Sequence, residues 1–449
     1  MPAKEVKLMR YARPNPSVPP QLSPSAPPGM RRAVRGGIFG NYVDQFDIFL
    51  PIIALAPASA YLFGSENLVR NAGLIFVATL LGRPLGAAIF GPISDRIGRT
   101  ATTKVALTGV ALTTLLIALV PSHAIFGAGS LLAIVALRFL GGIFLGGEYT
   151  SAIPLAMEWS EPERRGLVSG LIMWMSPWAN ASIAGLVFVL HGTLDATSYD
   201  EWGWRIPFLL GAALAFGMLA YYRARVQDSP QWEQPQRRTN PLKEILIGEH
   251  RRALWQVFIL MSGMWLLTYM AIPVLIGQLG ADTNLGAQTI SFAMMCGTAA
   301  SAFTMAGSGH LSTFTGRRAF FIGFGLIAAV LGPVIFLAIF NTAGTTALVL
   351  LVVALQIVTV SGYGPVGAYL VERFPTAVRS SGYGVGYSLS IVIPALYPYY
   401  LPVLQNVLGD QGAVAALLAL GGILVVTGAL VGPETARVNL GSAHPSHNR

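Results

Sequence analysis

Long apolar segments alternate with short polar loops over most of the chain, and this alternation predicts a helical membrane protein. A helix that crosses the hydrocarbon core of a bilayer needs about 20 apolar residues, and twelve segments reach roughly that length. Six precede Arg223 and six follow Arg252. The predicted spans are 36–61, 71–94, 104–121, 128–157, 166–190, 205–222, 253–276, 288–310, 319–341, 345–372, 380–402 and 411–432.

The same pattern divides the chain into five parts. Residues 1–30 contain eight prolines and almost no apolar pattern, so a disordered tail is predicted there. Two six-helix bundles are expected at 31–222 and 253–432, joined by a polar cytoplasmic linker at 223–252 and followed by a short tail at 433–449. The expected fold class is therefore an all-α integral membrane protein with twelve transmembrane helices.

Composition and charge agree with this fold class. The chain is 53% hydrophobic and 11% charged, whereas a soluble protein carries roughly 25% charged residues. The net charge of +9 requires no nucleic acid, because 25 of the 29 Lys and Arg residues fall on one side of the predicted topology. Positive residues accumulate in cytoplasmic loops, so a multi-pass protein of the cell membrane with both termini in the cytoplasm is expected.

Two charged motifs occur twice, once in each predicted bundle. The run Gly91-Pro-Ile-Ser-Asp-Arg-Ile-Gly-Arg-Thr100 lies between spans 2 and 3, and Gly309–Arg318 repeats its glycines and its arginine 218 residues later. A second motif, Gly147–Glu158, aligns at an offset of 214 residues with Ser361–Glu372. Such repeats predict two pseudo-symmetric halves, as in many transporters.

These motifs resemble those of the major facilitator superfamily, and the resemblance covers nearly the whole chain from about residue 31. The run Gly91–Thr100 is similar to the family's signature loop between helices 2 and 3, and Arg138–Gly142 to its arginine motif in helix 4. Gly40–Phe49, Gly82–Gly86 and Glu372–Arg379 resemble the metabolite:proton symporter group. The resemblance implies the major facilitator fold and secondary transport by alternating access.

Three positions depart from the pattern of this group. Gln45 replaces an aromatic residue and Gly141 replaces a glutamine, both near the expected substrate path, so the usual substrates of the group do not transfer directly. Thr313 replaces the acid of the second signature loop, so an asymmetric gate is expected.

Five ionisable residues lie inside predicted spans, all of them in the first half: Asp44, Asp47, Arg83, Arg138 and Glu148. Each costs about 2.5–3.5 kcal/mol at the centre of a membrane helix, so they are expected to face one another or water. Asp44 and Asp47 are three residues apart and share a helix face. Asp47 is the first candidate for proton or substrate coupling and Asp44 the second, and the two arginines could bind a substrate carboxylate.

The alternative is that Arg83 and Arg138 form fixed ion pairs with the acids of helix 1 and only hold helices together. Glu148 is also included among the coupling candidates. It lies about 15 Å further along helix 4 than Arg138, so these two residues are not expected to share one contact site.

Charged residues at the loop ends are the expected cytoplasmic gate, since in the resembled family such positions form a network that closes the inner face. The alternative is a set of solvated loop charges, which stabilise little. In the second half the candidates for lining the substrate site are Trp265, Gln356, Tyr363, Tyr383 and Tyr387. The gate residues are Gly91, Asp95, Arg96, Gly98, Arg99, Glu158, Arg165, Arg317, Arg318, Glu372 and Arg379.

The expected function is proton-coupled uptake of a small organic acid or related polar metabolite by a monomer whose partners are the substrate, protons and the bilayer. A sugar or organic-cation transporter or exporter of the same superfamily is the alternative, because three buried acids against two arginines leave a cation possible. A non-transporting sensor is a distant alternative. Neither an enzyme with catalytic residues nor a metal or cofactor site is expected, because the chain lacks nucleophile, phosphate-loop and metal-ligand motifs.

Overall fold

The computed structural model describes residues 28–64, 68–230, 232, 240–282, 286–342 and 344–440. Within these ranges the chain is helical and contains no strand. Eleven helices are long and apolar enough to cross a membrane, and two helices joined at a 45° bend make the twelfth span. We number the spans α1 to α12: Pro28–Leu55, Gly73–Ile97, Arg99–Ala118, Gly129–Glu158, Pro162–Thr193, Tyr199–Arg225, Arg251–Ala281, Gln288–Thr315, Arg317–Phe340, Thr345–Glu372, Thr376–Ala395 with Tyr397–Leu408, and Asp410–Val431.

The prediction of twelve transmembrane helices is confirmed, and the largest difference is at α1. The sequence predicts 36–61, whereas the helix begins at Pro28 and ends at Leu55. Arg31, Arg32 and Arg35 are helical but exposed. Hydropathy detects the part of a helix that lies in hydrocarbon, so it misses about two turns at the start of α1 that extend into the charged interface.

Two other segments also differ from the predicted boundaries. The predicted linker at 223–252 contains the end of α6 up to Arg225, a short helix at Pro241–Leu246 and the start of α7. Residues 433–440 of the predicted C-terminal tail have buried positions such as Thr435 and Leu440. Residues 1–27, 231, 233–239 and 441–449, on which the rest of the predicted tails and linker fall, lie outside the described residues.

Two glycines make the same tight turn at corresponding places in the two halves. Gly98 between α2 and α3 has a φ of 109°, and Gly316 between α8 and α9 has a φ of 88°. Only glycine adopts this region at little cost. We call the end of the molecule that carries these two turns the charged end.

Glycines also bring α2 and α4 together backbone to backbone. A Cβ atom added at Gly82 would meet the main chain of α4, and one added at Gly142 or Gly146 would meet the main chain of α2. Small residues allow such close approach of membrane helices. This contact carries Arg83 on α2 and Arg138 on α4 to positions facing α1.

We expect Gly142→Leu to lower the melting temperature of the detergent-purified protein, because the larger side chain would collide with the main chain of α2 at Thr79. Overpacking typically costs about 1–3 kcal/mol. Gly185→Leu is the matched control, since a Cβ at this helical glycine has no described atom within 4 Å. A fluorescence-detected melt in which both variants unfold at the same temperature would contradict the close contact.

Candidate transport pathway and gate

Asp47 and Arg138 form a buried ion pair that joins α1 to α4. One guanidinium nitrogen donates to the Asp47 carboxylate at 2.8 Å, and another donates to the Asp47 main-chain carbonyl at 2.9 Å. The hydroxyl of Thr114 donates to the second carboxylate oxygen, and Arg138 also donates to Thr79 at 3.1 Å. The two charges therefore neutralise each other, each guanidinium nitrogen of Arg138 donates one hydrogen bond, and each carboxylate oxygen of Asp47 accepts one. This arrangement matches the alternative of a fixed ion pair.

Asp44, one helical turn earlier, is held much less completely. Its single ion pair is with Arg83 on α2 at 3.3 Å, and both side chains are almost fully buried. The Oδ1 atom of Asp44 has no hydrogen-bond partner among the described residues. A buried carboxylate oxygen without a hydrogen-bond donor costs free energy. Of the two aspartates on α1, Asp44 is therefore the one with an acceptor that a proton or a donor could still use.

Glu148 lies beside this second pair. It is buried, interacts electrostatically with Asp44 and Arg83, and its Oε1 atom has no hydrogen-bond partner within the part of the chain that the structure describes. The carboxylate packs against the main chain of α1 at Gly40, where a Cβ atom would lie 2.7 Å from Oε1. The structure thus groups two carboxyls with one guanidinium beside the neutral pair of Asp47 and Arg138, with which Asp44 also interacts electrostatically.

A cavity of about 600 Å³ begins at Arg83 and runs towards the end opposite the charged end. Arg83 is the only charged residue among its described lining residues, and the uncharged polar groups include Gln45, Asn180 and Thr268. The rest of the wall is mostly apolar or aromatic, including Phe49, Phe63, Phe76, Trp265, Tyr269 and Tyr397. A pocket of this kind, apolar with a few convergent polar groups, is typical of small-molecule sites.

Aromatic rings from both halves close the cavity on the side of the charged end. The ring of Tyr149 lies 4.4 Å from that of Tyr387 and 5.6 Å from that of Tyr383, centroid to centroid. The guanidinium of Arg83 lies 5.3 Å from the centre of the Tyr149 ring. This layer separates Arg83 from the charged residues further along the molecule.

Of the five lining candidates in the second half, Trp265 lines the cavity directly. Tyr363 and Tyr387 pack against it, with ring centroids 5.6 and 5.3 Å away. Gln356 does not reach the cavity: it is fully buried and accepts a hydrogen bond from Thr298 on α8. The side-chain amide of Gln356 therefore makes its hydrogen bond within the second bundle.

At the charged end, Glu158 accepts hydrogen bonds from arginines of both halves. Arg99 donates to it at 3.0 Å and Arg379 at 2.7 Å. The other carboxylate oxygen accepts from Ser229 at 2.7 Å. All three charged groups are buried, so this is not the solvated loop charge of the alternative interpretation.

Glu372 repeats this arrangement in the second half. It accepts from Arg317 of its own half at 3.3 Å and from Arg165 of the first half at 3.1 Å. Its remaining acceptor position receives the hydroxyl of Thr435 at 2.7 Å. Each buried glutamate therefore binds one arginine from each half, and together the two clusters tie the halves to each other.

Asp95 makes a third connection between the halves. Its carboxylate accepts hydrogen bonds from the main-chain N–H groups of Ser380 and Ser381 at 2.9 and 3.0 Å, in the first turn of the α-helix that begins at Arg379 in α11. A carboxylate at a helix N-terminus is stabilised by free N–H groups and by the helix dipole. Gly91 allows the contact, because a Cβ there would lie 2.8 Å from the Cα atom of Ser381.

Among the described residues, the second half shows no equivalent of this cap. At the position corresponding to Asp95, Thr313 only accepts a hydrogen bond from Arg317 at 3.3 Å. Gly166 and Gly309 instead bring the main chains of α5 and α8 into contact. The asymmetry expected from Thr313 is present in these contacts.

Two predicted gate residues lie outside the clusters. Arg96 is exposed and has no ion-pair partner within 4.0 Å among the described residues. Arg318 donates to the main-chain carbonyls of Ala429 and Leu430 in its own half.

Sequence reasoning missed four residues in the segments after α6 and α12. Asp228 accepts from the Thr100 N–H at 2.8 Å, and Glu434 from the Arg317 N–H at 2.8 Å, so each caps the helix after a glycine turn. Ser229 and Thr435, the next residues, complete the two glutamate clusters. Both pairs are 206 residues apart, close to the offsets of the other repeats, and this spacing could have revealed them.

We expect Glu158→Gln to open the charged end, because Arg99 and Arg379 would lose the charge that they share. Removing one partner of a buried ion pair typically costs about 3–5 kcal/mol, and the contact with Arg379 exists only when the halves meet. Spin labels at the exposed positions Arg96 and Thr315, in a Cys296→Ser background, would report a population with a longer distance by pulsed electron paramagnetic resonance.

Glu161→Gln is the control for this experiment. Glu161 forms an exposed pair with Arg164 at 3.6 Å, and such surface pairs contribute about 0–1 kcal/mol. If Glu158→Gln gave the same distance distribution as Glu161→Gln, Glu158 would not hold the halves together.

The comparison with known proteins agrees with this architecture. The structure of the proton:xylose symporter XylE bound to 6-bromo-6-deoxy-D-glucose superposes with a TM-score of 0.73 at 16% identity, over 90% of this chain and 94% of that chain. At this identity the likeness shows the fold alone.

Relatives with higher identity are transporters by name. The inner membrane metabolite transport protein YhjE of Escherichia coli is 28% identical over 419 residues, 90% of this chain and 94% of that protein. The alpha-ketoglutarate permease of Escherichia coli is 28% identical over 379 residues, 80% of this chain and 84% of that protein. The expectation of a transporter and not an enzyme is confirmed by these relatives.

The sequence model of the Major Facilitator Superfamily matches residues 38–396, which is most of the chain. Together with the twelve spans and the repeated charged motifs, this match decides the family. The protein is a multi-pass membrane transporter that belongs to the major facilitator superfamily.

Proposed function

We propose that this protein takes up a small monocarboxylic acid with an apolar or aromatic body, together with a proton. The observation that carries the proposal is the group formed by Arg83, Asp44 and Glu148 at the inner limit of the cavity. Arg83 is accessible from the cavity, and its partner Asp44 is held by one ion pair only.

The number of charges supports a proton in this group. With both carboxyls ionised, Asp44, Glu148 and Arg83 carry one net negative charge in a buried environment, whereas Asp47 and Arg138 neutralise each other. One proton on Asp44 or Glu148 removes the excess charge, and burial together with a nearby like charge favours that proton. For this reason the contacts favour Asp44 and Glu148 over Asp47 as the coupling groups.

A substrate carboxylate would couple to this proton by competing for Arg83. A guanidinium binds a carboxylate best in a planar, two-bonded geometry, whereas Asp44 meets Arg83 through a single contact of 3.3 Å. When the substrate takes Arg83, Asp44 loses its counter-charge and must bind a proton to stay buried. Substrate and proton would then be carried together.

The wall of the cavity supports the choice of substrate class. A dicarboxylate would place its second charge against a wall that offers no second cation among the described lining residues, and an unpaired buried charge costs several kcal/mol. A sugar would leave many hydroxyls against aromatic and aliphatic surface. A monocarboxylate satisfies Arg83 and buries its remaining surface against that wall.

A zwitterion with a quaternary ammonium group is the second candidate. Trp265, Tyr269 and Tyr397 stand together on the cavity wall, with ring centroids 6.3 Å apart for the first pair and 5.6 Å for the second. Aromatic faces bind such cations, while Arg83 would hold the carboxylate.

The direction of uptake follows from the proposed orientation. The distribution of Lys and Arg residues favours an orientation with the charged end and both termini in the cytoplasm. The charged end is closed and the cavity extends to the opposite side, which is then the outer side. A monocarboxylate anion carried with one proton moves no net charge, so its accumulation follows the pH gradient, about tenfold for each pH unit. A zwitterion carried with one proton would also use the membrane potential, which supplies about 2.3 kcal/mol per 100 mV.

We expect purified protein to be stabilised in a thermal-shift assay by benzoate or isovalerate and not by succinate or xylose. Glycine betaine tests the second candidate. Arg83→Gln should abolish the shift, because the substrate loses its only charged partner, while the exposed Arg225→Gln should preserve it. Stabilisation of Arg83→Gln equal to that of the unsubstituted protein would exclude Arg83 from the site.

We expect Asp44→Asn and Glu148→Gln each to abolish proton-driven accumulation of labelled substrate in proteoliposomes, because the proton site is lost. Exchange of internal for external substrate should continue in Glu148→Gln, since exchange needs no net proton movement. The exposed Glu201→Gln is the control. Full accumulation by both variants, with accumulation lost in Asp47→Asn, would transfer the coupling role to Asp47.

A further inference from the structure

A second cavity, of about 1220 Å³, opens on the side of the first bundle and is separate from the transport pathway. Its lining residues belong to α1, α5 and α6. The groove is lined mainly by apolar and aromatic side chains, several of them exposed to the exterior: Phe39, Tyr42, Trp174, Trp178, Leu210 and Leu214.

One end of this groove is basic. Arg35 is its only charged described lining residue and lies at the charged end of the bundle. Arg31 and Arg32 precede it on α1, and Arg223 and Arg225 end the facing helix α6, all of them exposed. Within the described residues, none of these five arginines has an ion-pair partner within 4.0 Å. Tyr221 connects the two helix ends by donating to the Arg32 carbonyl at 3.0 Å.

The length of the groove matches one half of a bilayer. Along α6 the lining extends from Leu210 to Tyr221, which is about 16 Å at 1.5 Å per residue. The hydrocarbon of one leaflet is about 15 Å deep. An acyl chain lying in the groove would therefore place its headgroup at the level of Arg35 and Tyr221.

From this combination we propose that the groove between α1, α5 and α6 is a binding site for an anionic phospholipid. The acyl chains lie on the aromatic wall, and the phosphate interacts with Arg35 and the neighbouring unpaired arginines. Charge complementarity selects an anionic headgroup, because a cluster of unpaired arginines at the membrane surface attracts negatively charged lipids. The Tyr221 hydroxyl lies at the same level as this cluster.

The test is native mass spectrometry of the full-length protein in detergent, titrated with dioleoylphosphatidylglycerol and, separately, dioleoylphosphatidylcholine. Arg35→Gln should weaken phosphatidylglycerol binding about fivefold, the contribution of roughly one basic side chain near an anionic headgroup, and leave phosphatidylcholine binding unchanged. Arg252→Gln is the matched control, an exposed arginine at the start of α7 that does not line the groove.

Gly217→Leu tests the groove without changing charge. Gly217 lines the groove, and a Cβ there has no described atom within 4 Å, so the larger side chain can fill the space without disturbing the fold. We expect it to weaken binding of both lipids, whereas Gly323→Leu, at an equally open glycine on α9, should have no effect. Equal weakening by Arg35→Gln and Arg252→Gln, or unchanged binding in Gly217→Leu, would overturn the proposal.

Discussion

An ionised side chain inside a bilayer is tolerable only with a counter-charge, and the first bundle is organised around that constraint. Arg138 and Arg83 approach α1 because glycines let α2 and α4 touch along their main chains. Every guanidinium nitrogen of Arg138 and both carboxylate oxygens of Asp47 make a hydrogen bond, so this pair holds α1 and α4 together. The pair of Asp44 and Arg83 retains an unused acceptor and lies next to a third charge, Glu148. Neighbouring turns of α1 thus carry one carboxylate whose two oxygens both accept hydrogen bonds and one that has an unused acceptor.

The same constraint explains how the charged end closes. Glu158 and Glu372 each bind two arginines, one from each half. Neither cluster is therefore complete unless the halves are in contact. In a water-filled, open arrangement the separated charges would be hydrated, and the cost of separating them would fall. Alternating access needs contacts of this kind, which are strong when the charged groups are buried and which water can replace when the groups become hydrated.

The sequence was sufficient to predict the twelve spans and the five buried charges, because they follow from hydropathy, and to single out most residues of the two glutamate clusters, because they lie in repeated motifs. It could not assign partners. Asp44 and Asp47 share a helix face, so only the packing of α1 decides which acid meets which arginine. Glu148 was correctly separated from Arg138, but its neighbour Arg83 comes from another helix.

Two further differences have local causes. Gln356 is polar within a span, which favours a lining role, yet Thr298 satisfies it inside the second bundle. Asp228 and Glu434 fall in segments that hydropathy treats only as a linker and a tail, so their capping of α3 and α9 required the three-dimensional contacts.

The segment after α12 has a practical consequence. Arg379 holds the main-chain carbonyl of Leu440 at 3.2 Å, and Arg165 holds that of Val438 at 3.1 Å. A reporter or affinity tag fused directly after Leu440 would disturb these two contacts at the charged end and bias the conformational equilibrium. Fusions near this segment therefore call for a long, flexible spacer. A truncation before Glu434 would remove the Thr435 hydroxyl that donates to Glu372 and the two carbonyls that Arg165 and Arg379 hold.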